Sequence, residues 1–257
     1  MNRLIIGLLL LAFACRDRVL QTQSSSKPNI IIFLVDDLGW KDVGFMGSKY
    51  YNTPNIDKMA AQGMVFTDAY ANAPNCAPTR ASLMTGLYTP RHGIYTVASP
   101  ERGKAENRRL IPTPNRNQLA GHFVTLAEAL KEQGYTTGHV GKWHLGSGEQ
   151  TSPEAQGFDV NIAGNQAGHP KSYFSPYSNP DLTDGPDGEY LTDRLTDEAL
   201  KFIEKNKDSP FFLYFSHYSV HTPIQAKGPT IAKYKNKAGT GGQDNPAYAA
   251  MIESTDQ

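Results

Sequence analysis

Three apolar segments constrain the fold of this chain more than any other feature. Residues 29–35 (NIIIFLV) and 210–216 (PFFLYFS) are uninterrupted runs rich in β-branched and aromatic side chains, and residues 135–140 (YTTGHV) form a third. Runs of this kind are typical of strands that are buried on both faces, as in parallel sheets. The rest of the chain must then supply helices that cover both faces of a sheet.

Amphipathic helices are predicted between these strands. Residues 124–134 (VTLAEALKEQG) carry a capping box at Thr125 and Glu128. Residues 192–207 have one apolar face, and Thr192 is the predicted N-cap. The alternation of strand and helix predicts an α/β fold with a mostly parallel sheet flanked by helices.

Polar residues follow each predicted strand at its carboxyl end, where such sheets bind ligands. They are Asp36 and Asp37, Lys142 and His144, and His217 and His221. We therefore expect one site at this edge of the sheet. Taken alone, Lys142 and His144 also fit a turn around a packed Trp143, and one of the two later histidines is expected to be structural.

The adjacent carboxylates of Asp36 and Asp37 repel each other unless a cation joins them. Oxygen ligands favour calcium or magnesium over zinc. The alternative is that one carboxylate caps a turn and the other is solvated, which the dipeptide alone favours.

Cys76 lies at the predicted start of a helix, where backbone N–H groups favour an anion, and Arg80 follows one turn later. These surroundings suit a low-pKa thiolate or an anionic substrate. The alternative is an inert, buried cysteine, which would leave Arg80 without an evident function.

The N-terminus predicts export. Arg3 precedes an apolar run, residues 4–14, that is too short to span a bilayer but suits a signal peptide over residues 1–15. The sequence LAFAC resembles a lipoprotein cleavage box, so lipidation of Cys15 and plain secretion both stay open. Residues 16–27 are predicted to be a flexible tether before a catalytic portion at 28–257. The expected location is the periplasm or the cell surface, with a possible lipid anchor.

The segment CAPTRASLMTG (residues 76–86) resembles the signature of the type I sulfatases. The segments PNIIIFLVDDLGW, TPNIDKMAAQGMVFTDAYA, GKWHLG and PFFLYFSHYSVHTPIQ are similar to other blocks of that family, in the same order. The resemblance runs from about Lys27 to the last residue. It implies an alkaline-phosphatase-like α/β fold and hydrolysis of sulfate esters.

By this resemblance a separate maturation enzyme would oxidise Cys76 to formylglycine. The hydrated aldehyde would attack the sulfur of the ester with one oxygen. Deprotonation of its second hydroxyl would then expel sulfate and regenerate the aldehyde. The thiol would thus be a precursor rather than the reagent.

The resemblance also implies a role for each site residue. Asp36 and Asp37 would bind calcium together with the formylglycine at Cys76, and Arg80 would hold the hydrated aldehyde. Lys142 and His144 would contact the sulfate, with His144 a candidate base for the elimination.

His221 would bind substrate and protonate the leaving oxygen, a task that Lys142 could share. His217 is a secondary candidate for substrate binding.

One departure from the family pattern concerns length. Members of the family continue well beyond 257 residues. Their later part contains an Asp-Asn pair that completes the calcium shell and a further sulfate-binding lysine. Neither feature has a counterpart before Gln257. The chain is therefore predicted to be an N-terminal fragment, truncated before the C-terminal part of the fold. We expect the fragment to bind calcium poorly and to be inactive, and the complete gene product to be active.

The expected substrate is a sulfated carbohydrate, with aryl sulfates cleaved incidentally. Equal numbers of basic and acidic residues, 25 each, give no indication of nucleic-acid binding. The loop region 150–190 offers His169, Lys171, Tyr173, Phe174 and Tyr177 for sugar and anion contacts, or is an ordinary surface loop. The alternatives are a phosphatase or phosphodiesterase of the same fold, and a noncatalytic relic.

Overall fold

The computed structural model describes residues 27–257, so the predicted signal peptide, Cys15 and tether residues 16–26 lie outside it. One parallel sheet has the order β1–β4–β2–β3. Its strands are β1 (Ile30–Leu34), β2 (Thr136–Gly141), β3 (Val160–Ile162) and β4 (Phe211–Ser216). The α-helices of this part of the chain are α1 (Pro54–Gln62), α2 (Cys76–Thr85), α3 (Thr89–His92), α4 (Leu126–Glu132), α5 (Leu191–Asn206), α6 (Gly228–Tyr234) and α7 (Pro246–Asp256).

Two apolar cores lie on opposite faces of the sheet. On one face Leu195 of α5 and Met251 of α7 belong to the same cluster as Leu213 of β4. On the other face Met84 of α2 and Ala127 of α4 belong to a cluster built on the alternate residues of β4. The predicted parallel sheet with helices on both faces is confirmed. Within residues 27–257 no helix is both long and apolar enough to cross a bilayer.

Burial on both faces is confirmed for β4, all of whose residues are buried, but the same prediction is wrong for β1. Ile31 and Phe33 of β1 are 49% and 42% exposed. The reason is position, because β1 pairs only with β4 among the described strands and forms an edge of the sheet. A run of apolar residues does not distinguish an edge strand from a central one.

The helix starts were predicted with mixed success. The capping box of α4 is confirmed, with Thr125 accepting from the Glu128 N–H and the Glu128 carboxylate accepting in return from the Thr125 N–H. The cap at Thr192 is wrong, because α5 begins at Leu191 and its N-cap is Tyr190, two residues before the predicted cap. The segment 150–190 is mostly loop, but it contains the short strand β3, which was not predicted.

The ends of three strands are aligned by the register of the sheet. Ser216 of β4 pairs with Leu34 of β1 on one side and with Gly141 of β2 on the other. Gly141 has a positive φ of 106°, and a Cβ there would collide with the carbonyl oxygen of Ser216. This close approach brings the residues that follow β1, β2 and β4 to one edge of the sheet.

Candidate active site

Asp36 is the centre of a buried ion cluster at the aligned strand ends. One carboxylate oxygen lies 2.9 Å from Nη2 of Arg80, and the other lies 2.5 Å from Nζ of Lys142. The backbone N–H of Asp36 donates to the carbonyl of Ser219, and the carbonyl of Asp36 accepts from Val220. One carboxylate thus joins β1, α2 and the end of β2.

Arg80 is held rigidly, although it is a long side chain. It is 1% exposed, and its Nη1 donates to the carbonyl of Lys142 at 2.6 Å and to the hydroxyl of Ser216. No sequence motif points to Ser216, whose role follows from its place at the end of β4. Nε of Arg80 is buried and has no hydrogen-bond partner among the described residues.

The cluster carries more positive than negative charge. Burial alone would raise the pKa of the Asp36 carboxyl, but Arg80 and Lys142 hold it below its usual range. Asp36 is therefore ionised at neutral pH, and its single negative charge faces two cations. The surplus positive charge favours an anion at this end of the sheet.

Cys76 is the first residue of α2, as predicted, and lies one helical turn before Arg80. The preceding residue, Asn75, makes no side-chain cap to the helix. The thiol is half-buried and belongs to the one free cysteine of the described chain. It therefore lies where unpaired backbone N–H groups favour negative charge.

His144 reaches the same edge through an unusual backbone conformation. Its φ is 64°, and its N–H donates to the carbonyl of Asn165. Burial, together with the charges of Lys142 and Arg80, lowers the pKa of His144 to about 3. A Cβ at Gly168 would lie 2.6 Å from the ring, so this glycine leaves room for the imidazole. His144 is thus a neutral imidazole at pH 7.

Asp37 and His221 lie at the open side of the cluster. The carboxylate of Asp37, which is 58% exposed, lies 3.6 Å from Nε2 of His221. Asp36, Asp37 and His221 each offer one ligand atom, and these atoms lie within 4.8 Å of one another. The two carboxylates fit a hard divalent ion as part of its six to eight ligands. Cys76, whose formylglycine oxygen is the further ligand that the resemblance implies, is outside this group.

His221 is positioned by residues of the loop region. Its ring stacks on that of His169 at a centroid distance of 5.9 Å. The hydroxyl of Tyr173 lies 2.9 Å from the carbonyl oxygen of His221. Tyr173 is 0% exposed, so the sugar contact predicted for it is wrong, whereas Tyr177 is 1% exposed and lines a cavity beside His169. Their rings belong to the core beneath the loop.

His217 does not join the cluster. Its ring is 1% exposed and lies 4.2 Å from the ring of Phe215 and 4.9 Å from that of Phe33, by centroids. Neither ring nitrogen has a hydrogen-bond partner among the described residues. This placement argues against the substrate contact predicted for His217, because its side chain follows Phe215 onto the opposite face from Ser216.

A cavity of about 460 Å³ lies beside His169. Gln166, Lys171 and Asn179 contribute polar groups to its wall, and Tyr218 forms part of its base. Oε1 of Gln166 is buried and has no partner among the described residues. The cavity therefore has a lysine and amide side chains in its lining, next to the His169–His221 pair.

Comparison with known proteins gives a consistent result. The family profile described as Sulfatase matches residues 28–257. N-acetylgalactosamine-6-sulfatase of Mus musculus is 37% identical over 223 residues, which cover 77% of this chain and 41% of that protein. A sulfatase of Formosa agariphila is 32% identical over 289 residues, covering 91% of this chain and 52% of that protein.

The crystal structure of Ps i-CgsB in complex with k-i-k-neocarrahexaose is similar to this chain with a TM-score of 0.71 and 35% sequence identity. The match covers 90% of this chain and 53% of that one. The chain thus spans about half the length of these relatives.

Replacing Asp36 by asparagine is predicted to lower the free energy of unfolding by about 3–5 kcal/mol, because two buried cations would lose their counter-charge. Urea unfolding in the presence of EDTA measures the change without a metal contribution. Asp37→Asn is the matched control at an exposed neighbour and should change stability by less than about 1 kcal/mol. Equal losses in the two variants would contradict the central role of Asp36.

Replacing His217 by phenylalanine is predicted to reduce the loss of stability in acid. Burial lowers the pKa of His217 to about 3, whereas the unfolded value is about 6.5. Between these values only the unfolded chain binds the proton, so stability falls as the pH falls from about 6.5 towards 3.

Between pH 7.5 and pH 5, His217 should account for a decrease of about 2 kcal/mol in the free energy of unfolding. This decrease should be absent in His217→Phe. Urea unfolding at the two pH values checks this, with His122→Phe as a control at an exposed position. An unchanged pH dependence in His217→Phe would refute the interpretation.

Proposed function

This chain belongs to the sulfatase family, and we propose that the whole protein hydrolyses sulfate esters with the residue derived from Cys76 as the nucleophile. The observation that carries the proposal is the position of Cys76, at the start of α2 and one turn before an arginine that is bound to Asp36. Oxidation of Cys76 to formylglycine by a separate maturation enzyme is part of the proposal.

Two groups absent from the polypeptide would supply chemistry here. The hydrated formylglycine would provide the attacking oxygen, and a calcium ion held by Asp36 and Asp37 would offset the charge of the ester. The donor set supports a hard ion, because both groups are carboxylates and one of them is exposed.

Arg80 and Lys142 would bind the sulfate oxygens. Both are buried and fixed by Asp36, so they need little reorganisation to meet an anion. Nε of Arg80 and Nδ1 of His144 are buried without partners among the described residues. A bound ester could supply the missing partners, which would recover the cost of leaving these groups unsatisfied.

The two histidines would move protons on opposite sides of the sulfur. His144 is neutral and would accept a proton from the hydroxyl at position 76. A bound anion would counter the repulsion from Lys142 and Arg80 and so raise the pKa of His144 towards a useful range. His221 would protonate the leaving oxygen.

The proposed substrate is a sulfated carbohydrate. Since His221 would donate its proton to the leaving alcohol, the sugar that carries the sulfate would lie on the side of His169 and the 460 Å³ cavity. Lys171 and Gln166 could contact an acidic group and a hydroxyl there. The saccharide named in the Ps i-CgsB complex and the N-acetylgalactosamine-6-sulfatase relatives support this substrate class.

An exported location, in the periplasm or on the cell surface, is part of the proposal. It is supported by the apolar run of residues 4–14, and Cys15 is the candidate for a lipid anchor. A phosphatase of the same fold is less favoured, because Cys76 replaces the usual serine or threonine and the named relatives are sulfatases. A noncatalytic relic would not need the buried cations around Asp36.

The proposal is tested with the whole protein purified from its own host. We expect release of 4-nitrophenol from 4-nitrophenyl sulfate but little from 4-nitrophenyl phosphate, with loss of activity in EDTA and recovery on addition of calcium. Cys76→Ala should abolish turnover of the sulfate. Preference for the phosphate, or full activity of Cys76→Ala, would refute the assignment.

Replacing His221 by alanine tests whether this residue acts as the general acid. With a sugar sulfate, kcat should fall by about 10²–10⁴, because an alkoxide is a poor leaving group without a proton. With 4-nitrophenyl sulfate the fall should be much smaller, since 4-nitrophenolate leaves unaided. Equal losses with both substrates would show that His221 does not act as the acid.

A further inference from the structure

Residues 99–114, termed here the basic loop, carry an excess of positive charge in a chain whose net charge is zero. The four cations of the loop are Arg102, Lys104, Arg108 and Arg109, and its carboxylates are Glu101 and Glu106. The excess is therefore local to this segment.

Two cations of the basic loop, Arg102 and Arg108, help to fold the loop. Nη1 of Arg102 donates to the carbonyls of Ser99 and Glu101. Arg108 pairs with Glu101 at 3.3 Å and donates to the carbonyl of Arg102. Arg102, Lys104 and Arg109 are exposed and have no carboxylate within 4.0 Å among the described residues. By contrast, Lys201 of α5 and Lys207, the residue that follows α5, are exposed but paired with glutamates. The three exposed cations of the basic loop thus keep their charge for an external anion.

Hydrogen bonds connect the base of the basic loop to the start of α2. Nδ2 of Asn115 donates to the carbonyl of Ala98 at 2.7 Å, which closes the base of the loop. Nδ2 of Asn75, the residue before Cys76, donates to the hydroxyl of Thr96 at 3.0 Å. The same strip of chain therefore connects the basic loop to the start of α2.

A second connection leads to the proposed sugar cavity. Nε2 of Gln166, in the wall of the cavity, donates to the carbonyl of Asn117 at 3.0 Å. Chain segments at the base of the basic loop thus contact both the start of α2 and the cavity wall. A polymer whose sulfated unit occupies the site would pass close to the loop.

We propose that the basic loop binds the sulfate groups of neighbouring units of a sulfated polysaccharide, outside the catalytic site. This inference rests on the proposed function for the identity of the polymer. Exposed ion pairs each change affinity by at most about fivefold, so three cations together act as an auxiliary site rather than a tight one. Binding of this kind weakens as salt rises.

The test measures binding of the 257-residue chain to dextran sulfate in EDTA, at several salt concentrations. The triple variant Arg102→Gln/Lys104→Gln/Arg109→Gln should bind about tenfold more weakly at low salt, with a shallower salt dependence. The matched control, Lys201→Gln/Lys205→Gln/Lys207→Gln at the end of α5, removes the same charge and should bind like the unchanged chain.

Equal binding by the triple variant and the unchanged chain, or equal losses in both variants, would overturn the proposal. A third outcome would also overturn it. If the loop substitutions removed binding to phosphatidylglycerol vesicles but left binding to dextran sulfate unchanged, the loop would be a membrane contact. Dextran sulfate binding in EDTA does not require turnover. Failure of the sulfatase assignment would be seen as no release of 4-nitrophenol from 4-nitrophenyl sulfate. It is therefore distinguishable from failure of this inference.

Discussion

The ion cluster of Arg80, Asp36 and Lys142 is the interaction on which the rest of the site depends. It joins the end of β1, the first turns of α2 and the end of β2 through one buried carboxylate. Burying three charges is costly unless they satisfy one another, and here one positive charge remains in excess. An anionic ligand would complete the balance, so the arrangement favours an anion at this edge of the sheet.

Much of this site could be predicted from the sequence because the sheet is parallel. The strands run in one direction, so residues that follow them in sequence meet at one edge in space. This geometry predicts that Asp36, Lys142 and His144 lie together, and the structure pairs Asp36 with Lys142, with His144 two residues further along after β2. Cys76 and Arg80 were linked by helical spacing, and α2 begins at Cys76.

The features that could not be predicted depend on contacts between distant segments. The exposed residues of β1 follow from its place at the edge of the sheet, which its composition does not encode. Tyr173 belongs to a segment with the composition of a sugar-binding loop, but its side chain is buried in the core that α5 also joins. His217 is different, since its alternation with Ser216 along β4 already indicated that the two side chains lie on opposite faces.

The central claim is that the helix start at Cys76 carries an oxidised side chain rather than a thiol. Mass spectrometry of the tryptic peptide spanning residues 59–80, from protein produced in its own host, tests it most directly. We expect residue 76 to have lost its sulfur and to carry an aldehyde that reacts with a hydrazide probe. A fully alkylatable thiol at this position, in protein that still releases sulfate, would contradict it.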